Sequence, residues 1–393
     1  MTDTQSIALK ILRTVVFGES FDLPENVDWE QVFQDLRVQT VSELAADWAS
    51  SQSFIPADIR DNWIKLSLAQ LGVYWRIIFE QNALYKLLTD NEIPMAVLKG
   101  ASACIYYPKP ESRRMGDIDF IVPADCFEKA EKLLIENGYC VQNESHINNL
   151  HMTFLKNDVD FELHHKPNGI KDDALWEKVR HIFDMTSFPP VKHNFGEYEF
   201  SSFPDLQNGL VILLHIKSHV PTGLGLRQVV DWMMYVNSYL DDAHWPAFKA
   251  YADELGISNF AKNLTRMCQL YLGLPAEKRT WCMDADEKVP SQLIEWIMTK
   301  GNFGIGENYW ERKGRNALMG GYGFIKRLKY MQSYGLQKWE LARKCILVRP
   351  FAWTYELKRY LKFIFARPKP IRTVINDFKS AKKQRKFIDN LTK

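Results

Sequence analysis

The segment VLKGASACIYYPKPESRRMGDIDFIV, residues 97–122, predicts a strand, a glycine turn, a brief helix and a second strand. The first strand comes from an apolar run at 95–98, which lies between a proline and Gly100. The helix is expected over 101–107, because two prolines follow it and proline cannot continue a helix. The second strand is expected over 117–122, where acidic and apolar residues alternate. This order of elements is typical of a small mixed α/β unit.

The second predicted strand carries two acids, Asp117 and Asp119, on one face. Side chains alternate between the faces of a strand, so Ile118 and Phe120 are expected to point into the core. The two carboxylates would lie less than about 7 Å apart along the strand and would repel each other without a cation between them. Because Mg²⁺ prefers oxygen ligands, one or two of them carboxylates, the pair predicts a site for Mg²⁺ or Mn²⁺.

A third acid is expected from the segment VDFELHH, residues 159–165. Its apolar residues alternate with polar ones, and with 152–155 it predicts a hairpin around a short turn. Glu162 is the preferred third ligand and Asp160 is the reserve. Three acids can hold two metal ions about 3.5–4 Å apart. In this prediction Glu162 completes the metal site on the nucleophile side and helps to deprotonate the acceptor.

Four residues before the Asp-x-Asp strand are predicted to hold the phosphates of a nucleotide. Gly100 lacks Cβ and stands at the start of the predicted helix, so backbone N–H groups can approach an anion there. Ser102 is expected to donate its hydroxyl to the same phosphates, unless it serves only as a helix cap. Lys99 and Arg113 are expected to neutralise the phosphates, the arginine through two parallel hydrogen bonds.

Together the pattern predicts an α/β (α+β) protein in four parts. These are an N-terminal helical region at 1–90, a small mixed-sheet catalytic domain at 91–203, a helical substrate-binding region at 204–335 and a basic aromatic helical tail at 336–393.

The helical substrate-binding region contains two pairs of polar residues at helical spacing. Arg227 and Asp231 are expected to form a surface ion pair or to line the substrate cleft, and His215 and His219 are expected to have a structural role rather than to share a metal.

Composition narrows the function further. The six cysteines form no Cys-x-x-Cys pair, which argues against a zinc scaffold and favours a reducing cytoplasm. The N-terminus lacks the pattern of an export signal, and no uncharged run reaches the length of a membrane span.

Between Lys358 and Lys393 there are 12 basic residues against two acids. This tail is expected to remain solvated or to make a peripheral contact with an anionic membrane at its inner face, and nucleic acid ranks third.

The quoted segments resemble the uncharacterised nucleotidyltransferase family of bacteria, within the DNA-polymerase-beta-like nucleotidyltransferase superfamily. LHIKSHVPTGLGLRQVVDW and KGNFG are also similar to the helical half of that family. The resemblance implies that Asp117, Asp119 and Glu162 are a metal triad, and that Gly100 and Ser102 hold the nucleotide phosphates. It implies transfer of a nucleoside monophosphate from a nucleoside triphosphate to an acceptor hydroxyl, with release of pyrophosphate. It also implies an association with surface polysaccharide biosynthesis.

Two other functions fit parts of the pattern. A glycosyltransferase also uses an Asp-x-Asp motif with a divalent cation, but it leaves the Lys-Gly turn and Glu162 without a role. A nucleotidyltransferase fold that only binds nucleotide is favoured by Ala101, which separates Gly100 from Ser102. The sequence does not identify the base of the nucleotide or the acceptor, for which a sugar or polysaccharide precursor, a small antibiotic-like molecule, a protein side chain and tRNA are candidates.

Overall fold

A computed structural model describes residues 1–143, 151–170, 172–305 and 323–365, together with residues 379, 382, 385–388 and 391. Its helices, labelled in chain order, are α1 (Asp3–Phe17), α2 (Trp29–Val38), α3 (Ala46–Ser50), α4 (Ala57–Asp90), α5 (Ala101–Cys104), α6 (Phe127–Glu136), α7 (Asp173–Val179), α8 (Asp205–His219), α9 (Leu226–Ser238), α10 (Trp245–Glu254), α11 (Ser258–Leu272), α12 (Lys288–Lys300), α13 (Gly323–Lys338), α14 (Glu340–Lys344) and α15 (Trp353–Phe365). The strands are β1 (Ala96–Val97), β2 (Ile118–Ile121), β3 (Cys140–Asn143), β4 (His151–Lys156), β5 (Val159–His164), β6 (Val191–Phe195) and β7 (Tyr198–Ser202). Short 3₁₀ turns lie at Ser42–Ala45, Pro110–Ser112, Ala124–Cys126, Arg180–Phe183, Thr280–Cys282, Asn302–Gly304 and Arg349–Phe351.

The strands form one mixed sheet in the order β3-β4-β5-β2-β1-β7-β6. Within it, β2 runs parallel to β5 and β1 runs parallel to β7, while the other neighbouring strands are antiparallel. The tight turn between β4 and β5 places Asn157 and Asp158 at φ 50° and 58°. Asparagine and aspartate tolerate this left-handed backbone, which matches the twist of a two-residue hairpin.

The two faces of the sheet pack into different cores. Val97, Ile118 and Phe120 face a core that they share with the C-terminal half of α4 and with α6. Ala96 and Leu98, on the opposite face, join a larger core. That core also contains buried side chains of α1, α2 and α8 to α12, so the N-terminal helices and the helical region after β7 are packed together. The alternation of side chains in β1 and β2 therefore leaves the acidic face of β2 toward the helical half.

The predicted α/β fold class is confirmed, and the elements around the acids lie close to their expected places. The hairpin and the long helix before the sheet are present, while the helix predicted over 101–107 is only one turn, α5. A single turn has few aligned peptide dipoles, so it contributes less to phosphate binding than the predicted helix would. The sequence patterns did not reveal β3, β6 or β7.

Most of the basic C-terminal tail, for which a solvated or membrane-contacting role was predicted, falls outside the described residues. Within the ranges that the structure does describe, no helix has both the length and the apolar character required to span a bilayer.

Candidate active site

The site forms where β2 and β5 lie side by side in parallel. Their register pairs Asp119 directly with Glu162. Both residues point to the same face of the sheet, because neighbouring parallel strands keep their pleats in phase. On the other side of β2, the backbone N–H of Leu98 donates to the carbonyl of Asp119 at 2.9 Å. The sheet thus holds Asp119 and Glu162 in place through backbone pairing, and Asp117 lies one residue before β2.

Asp117, Asp119 and Glu162 converge, with one oxygen of each carboxylate within 4.8 Å of the others. The side chain of Asp119 is fully buried, whereas those of Asp117 and Glu162 are 40% and 21% exposed. The cluster is therefore open to solvent on one side and closed at its base. Asp160, the reserve candidate, is exposed on β5 and is not part of this cluster.

Lys99 lies between the two aspartates. Its Nζ is 3.0 Å from Oδ2 of Asp117 and 2.8 Å from Oδ2 of Asp119. Burial on its own raises the pKa of Asp117, but the ammonium group of Lys99 outweighs this and the pKa is lowered. The ammonium group thus supplies the positive charge that adjacent carboxylates require.

His164 closes the buried base of the cluster. Its Nε2 lies 2.9 Å from Oδ1 of Asp119 and 3.3 Å from Oε2 of Glu162, and the side chain is fully buried. Burial lowers the pKa of His164 in spite of the neighbouring carboxylates, so the imidazole is neutral near pH 7. Since Nε2 faces two carboxylates, we assign the ring proton to Nε2, from which it is donated to Asp119.

Glu162 is ionised throughout the physiological range. Burial raises its pKa, but the hydrogen bond from His164 and the nearby His151 and Lys99 together lower it to about 2. A carboxylate with so low a pKa is a good metal ligand and a weak general base. The low pKa agrees with a ligand role for Glu162, and its predicted help in deprotonating the acceptor stays a prediction.

The donor set fits a hard divalent cation. All three converging groups are carboxylates, and Mg²⁺ takes oxygen ligands. Oδ2 of Asp119 is buried and forms an ion pair with the ammonium group of Lys99 at 2.8 Å. Glu162 also belongs to a second group with His151 and His164, which overlaps the first.

Gly100 and Ser102, two of the residues expected to bind phosphate, differ in backbone conformation and in burial. Gly100 is the residue before α5 and has φ 67° and ψ −114°, a conformation that requires glycine. Ser102 is fully buried and its Oγ has no hydrogen-bond partner. It does not cap the helix, because Gly100 occupies the cap position. The predicted contact of Ser102 with phosphate therefore lacks the solvent access that it requires.

Arg113 makes a different contact from the one expected. Its Nε and Nη2 donate to the two carboxylate oxygens of Asp231 at 2.7 and 2.8 Å, and both residues are only 5% exposed. The hydroxyl of Tyr107 donates to the same carboxylate at 2.7 Å. The predicted surface pair between Arg227 and Asp231 is therefore wrong, because Asp231 is buried and turned toward the loop before β2. Sequence spacing cannot reveal a partner 118 residues away.

The two histidines of α8 also lie near this region. The rings of His215 and His219 are 4.4 Å apart. Within the described residues they belong to neither of the groups that could hold a metal, and their structural role stays a prediction. The contact of His164 with Asp119 had a weak signal in the sequence, namely its place on the polar face of β5.

Comparison with known proteins places the chain in a family. The profile of an uncharacterised nucleotidyltransferase family matches residues 25–273, well over half of the chain. No curated protein and no solved structure matches it. The matched range contains the carboxylate cluster, Lys99 and the pair between Arg113 and Asp231. Taken with that match, the resemblance carried by the glycine turn, the Asp-x-Asp strand and Glu162 is confirmed: the chain belongs to the uncharacterised nucleotidyltransferase family and is a nucleotidyltransferase.

Proposed function

We propose that this nucleotidyltransferase depends on Mg²⁺, or Mn²⁺, held by Asp117, Asp119 and Glu162. It transfers a nucleoside monophosphate from a nucleoside triphosphate to the hydroxyl of an acceptor. The observation that carries the proposal is the convergence of the three carboxylates within 4.8 Å on the sheet face toward the helical half. When bound, the metal would lower the pKa of the attacking hydroxyl and offset the charge of the polyphosphate.

In the proposed reaction the acceptor oxygen forms a bond to the α-phosphorus. The bond from that phosphorus to the oxygen bridging it to the β-phosphate breaks, and pyrophosphate leaves with the electron pair. The acceptor hydroxyl loses its proton to solvent water on the open side of the carboxylate cluster. Because Glu162 is a weak base there, its proposed part is to hold charge in a fixed place, and His164 keeps Asp119 oriented through a hydrogen bond.

The remaining parts of the site are assigned from their positions. We assign Lys99 to neutralise developing charge beside the two aspartates, and Gly100 to shape the turn between β1 and α5. No phosphate contact is assigned to Ser102 or Arg113, because the first is buried and the second is paired with Asp231. The helical region after residue 203 is proposed to supply the acceptor pocket.

The main test uses a matched pair of acids on one strand. Glu162→Gln is expected to reduce Mg²⁺-dependent transfer of an α-phosphate label by about a hundredfold or more, as the loss of an interaction worth about 3 kcal/mol would. Asp160→Asn changes an exposed acid outside the cluster and should stay within about twofold of the wild type. Each of the four nucleoside triphosphates is tested with a cell extract as the source of acceptor.

The double variant Asp117→Asn with Asp119→Asn tests whether the carboxylates of the proposed metal site are required for turnover. It should abolish turnover while circular dichroism shows a folded protein. Unchanged turnover in the folded double variant would remove the proposal. Binding of nucleotide without any release of pyrophosphate in the wild type would instead favour the binding-protein alternative. The glycosyltransferase alternative predicts use of a nucleotide sugar, and it gives Glu162 no role.

We also propose that the C-terminal helices make a peripheral contact with an anionic membrane. Six large apolar side chains are exposed within 25 residues, at Leu341, Ile346, Leu347, Phe351, Leu361 and Phe365. Lys358 and Lys362 line the same shallow groove as Leu361 and Phe365 along α15. Exposed apolar groups beside lysines suit the boundary between anionic headgroups and acyl chains.

Vesicle binding tests this contact. The full chain should sediment with phosphatidylcholine vesicles containing phosphatidylserine, and binding should fall as salt rises. The variant Leu347→Glu with Phe351→Glu should release it, whereas Ser50→Glu, at the exposed end of α3, should not. No sedimentation with anionic vesicles would contradict the membrane contact. Binding to a single-stranded oligonucleotide instead would make nucleic acid the partner of this surface.

A further inference from the structure

Arg227 lies in the first turn of α9 and turns toward the loop that leads into the Asp-x-Asp strand. Its Nη1 donates to the backbone carbonyl of Arg114 at 3.0 Å. Arg114 precedes Asp117 by three residues, and three residues span at most about 11 Å. The guanidinium group therefore contacts the loop that leads to the carboxylate cluster from the side of α9, and the charge of Asp117 acts on it.

The buried acids near Arg227 are already engaged with other arginines. Asp231, one turn further along α9, pairs with Arg113 through both carboxylate oxygens. Glu43 is buried with Oε1 3.8 Å from Nη1 of Arg114. In the part of the chain that the structure describes, no carboxylate lies within 4.0 Å of Arg227. Its Nε is buried and has no hydrogen-bond partner.

Among the described residues no carboxylate forms an ion pair with Arg227, and a second guanidinium group acts on it. Burial lowers the pKa of Arg227, and the like charge of Arg113 lowers it further, against the opposing effect of Asp231 and Asp117. Nearby positive charges also act on His215. Burial, followed by the charges of Lys99 and other nearby cations, lowers the pKa of His215 well below its ordinary value. A guanidinium group held without an acid in such a place is stabilised when an anion arrives.

We propose that Arg227 binds the polyphosphate of the donor nucleotide, and the pyrophosphate after transfer, from the helical side of the cleft. This inference rests on the proposed function and adds a residue and a ligand chemistry to it. Arg227 takes the part that the sequence suggested for Arg113, while Arg113 fixes the loop by pairing with Asp231. The planar fork of arginine matches two phosphate oxygens, which lysine cannot reproduce.

Two variants separate charge from loop anchoring. Arg227→Gln keeps an N–H that can donate to the carbonyl of Arg114 but carries no charge, and Arg227→Lys keeps the charge but loses the fork. Binding of inorganic pyrophosphate and of each nucleoside triphosphate, with Mg²⁺, is measured by isothermal titration calorimetry. Arg227→Gln should weaken both by about tenfold to a hundredfold, and Arg227→Lys by less. Affinity for the nucleoside monophosphates should change by less than about threefold.

Arg266→Gln is the matched control, since Arg266 lies on α11 and pairs with the exposed Glu287. It should bind pyrophosphate as the wild type does. Thermal unfolding without ligand shows whether each variant is folded, and pyrophosphate at one fixed concentration should raise the unfolding temperature of the wild type more than that of Arg227→Gln.

The outcomes distinguish this inference from the proposed function. Equal pyrophosphate and triphosphate affinity in the wild type and Arg227→Gln would overturn the role of Arg227 and leave the proposed function standing. Pyrophosphate binding that depends on Arg227, without any transfer reaction, would support the anion site and contradict the proposed function. A wild type that binds neither pyrophosphate nor any triphosphate would overturn both.

Discussion

At the scale of single residues, the site is a balance between crowded negative charge and one ammonium group. Lys99 contacts both aspartates, at 3.0 and 2.8 Å, and is the cation closest to them among the described residues. Without it, three carboxylates would face one another across less than 5 Å. The protein therefore carries a built-in substitute for part of the charge of a metal ion.

If the charge of Lys99 is removed, we expect the stability of the protein to depend on bound metal. Lys99→Met keeps the length of the side chain but removes the charge, and it should lower the free energy of unfolding in EDTA by about 2 kcal/mol. Millimolar Mg²⁺ should restore most of that loss, because a ligand that binds only the folded state stabilises it. Thermal unfolding with EDTA and with Mg²⁺ measures both values. A loss of equal size in the two conditions would show that repulsion between the carboxylates is not its cause.

Replacing Gly100 by alanine and replacing Gly72 by alanine should change the free energy of unfolding in opposite directions. Gly100→Ala should destabilise the protein by about 1–3 kcal/mol, because its backbone at φ 67° and ψ −114° is strained for any residue with Cβ. Neighbouring atoms do not add to the cost, since the nearest lie 3.7 Å or more from an added Cβ. Gly72→Ala, on the exposed face of α4, should stabilise by about 1 kcal/mol. Urea unfolding of the two variants measures both effects, and a stable Gly100→Ala would contradict the strain.

At the scale of elements, the loop before β2 is fixed to α9 by a buried ion pair. Asp231→Ala should cost about 3–5 kcal/mol, because it leaves the guanidinium group of Arg113 buried without a partner. The double variant Arg113→Met with Asp231→Leu should recover much of that stability, since no uncompensated charge remains. Chemical denaturation of the two single variants and the double variant gives the coupling energy. Additive losses would show that the pair is not coupled.

Local pattern predicted the elements that carry the acids, and it failed where long-range contacts decide the structure. The hairpin of β4 and β5 was predictable because strict alternation and an Asn-Asp turn act within a dozen residues. The strand β6, at the edge of the sheet, is largely exposed, so no apolar alternation distinguishes it from a loop. The contacts of Arg113 and Gln39 join residues far apart in sequence, for which a single sequence has no periodic signal.

At the scale of the whole molecule, Gln39 connects three parts of the larger core. Its Nε2 donates to the carbonyl of Ile297 in α12 at 2.9 Å, and its Oε1 accepts from the backbone N–H of Leu226 at 3.0 Å. The residue is almost fully buried at the end of α2. The N-terminal helices thereby set the start of α9, and with it the position of Arg227.

Loss of the contacts of Gln39 should lower the free energy of unfolding. Because these contacts set the start of α9 and the position of Arg227, it should also weaken nucleotide binding. Gln39→Ala leaves the buried N–H of Leu226 without its side-chain partner and removes one of the two hydrogen bonds to the carbonyl of Ile297, which should cost about 1–3 kcal/mol of unfolding free energy. Gln31→Ala, on the exposed face of α2, should cost less than about 0.5 kcal/mol. Tryptophan fluorescence and circular dichroism should report the same unfolding midpoint in each variant, because the N-terminal helices and the helical half share one core. Separate midpoints in the wild type would mean that the N-terminal helices unfold independently of α9, and that Gln39 does not position Arg227.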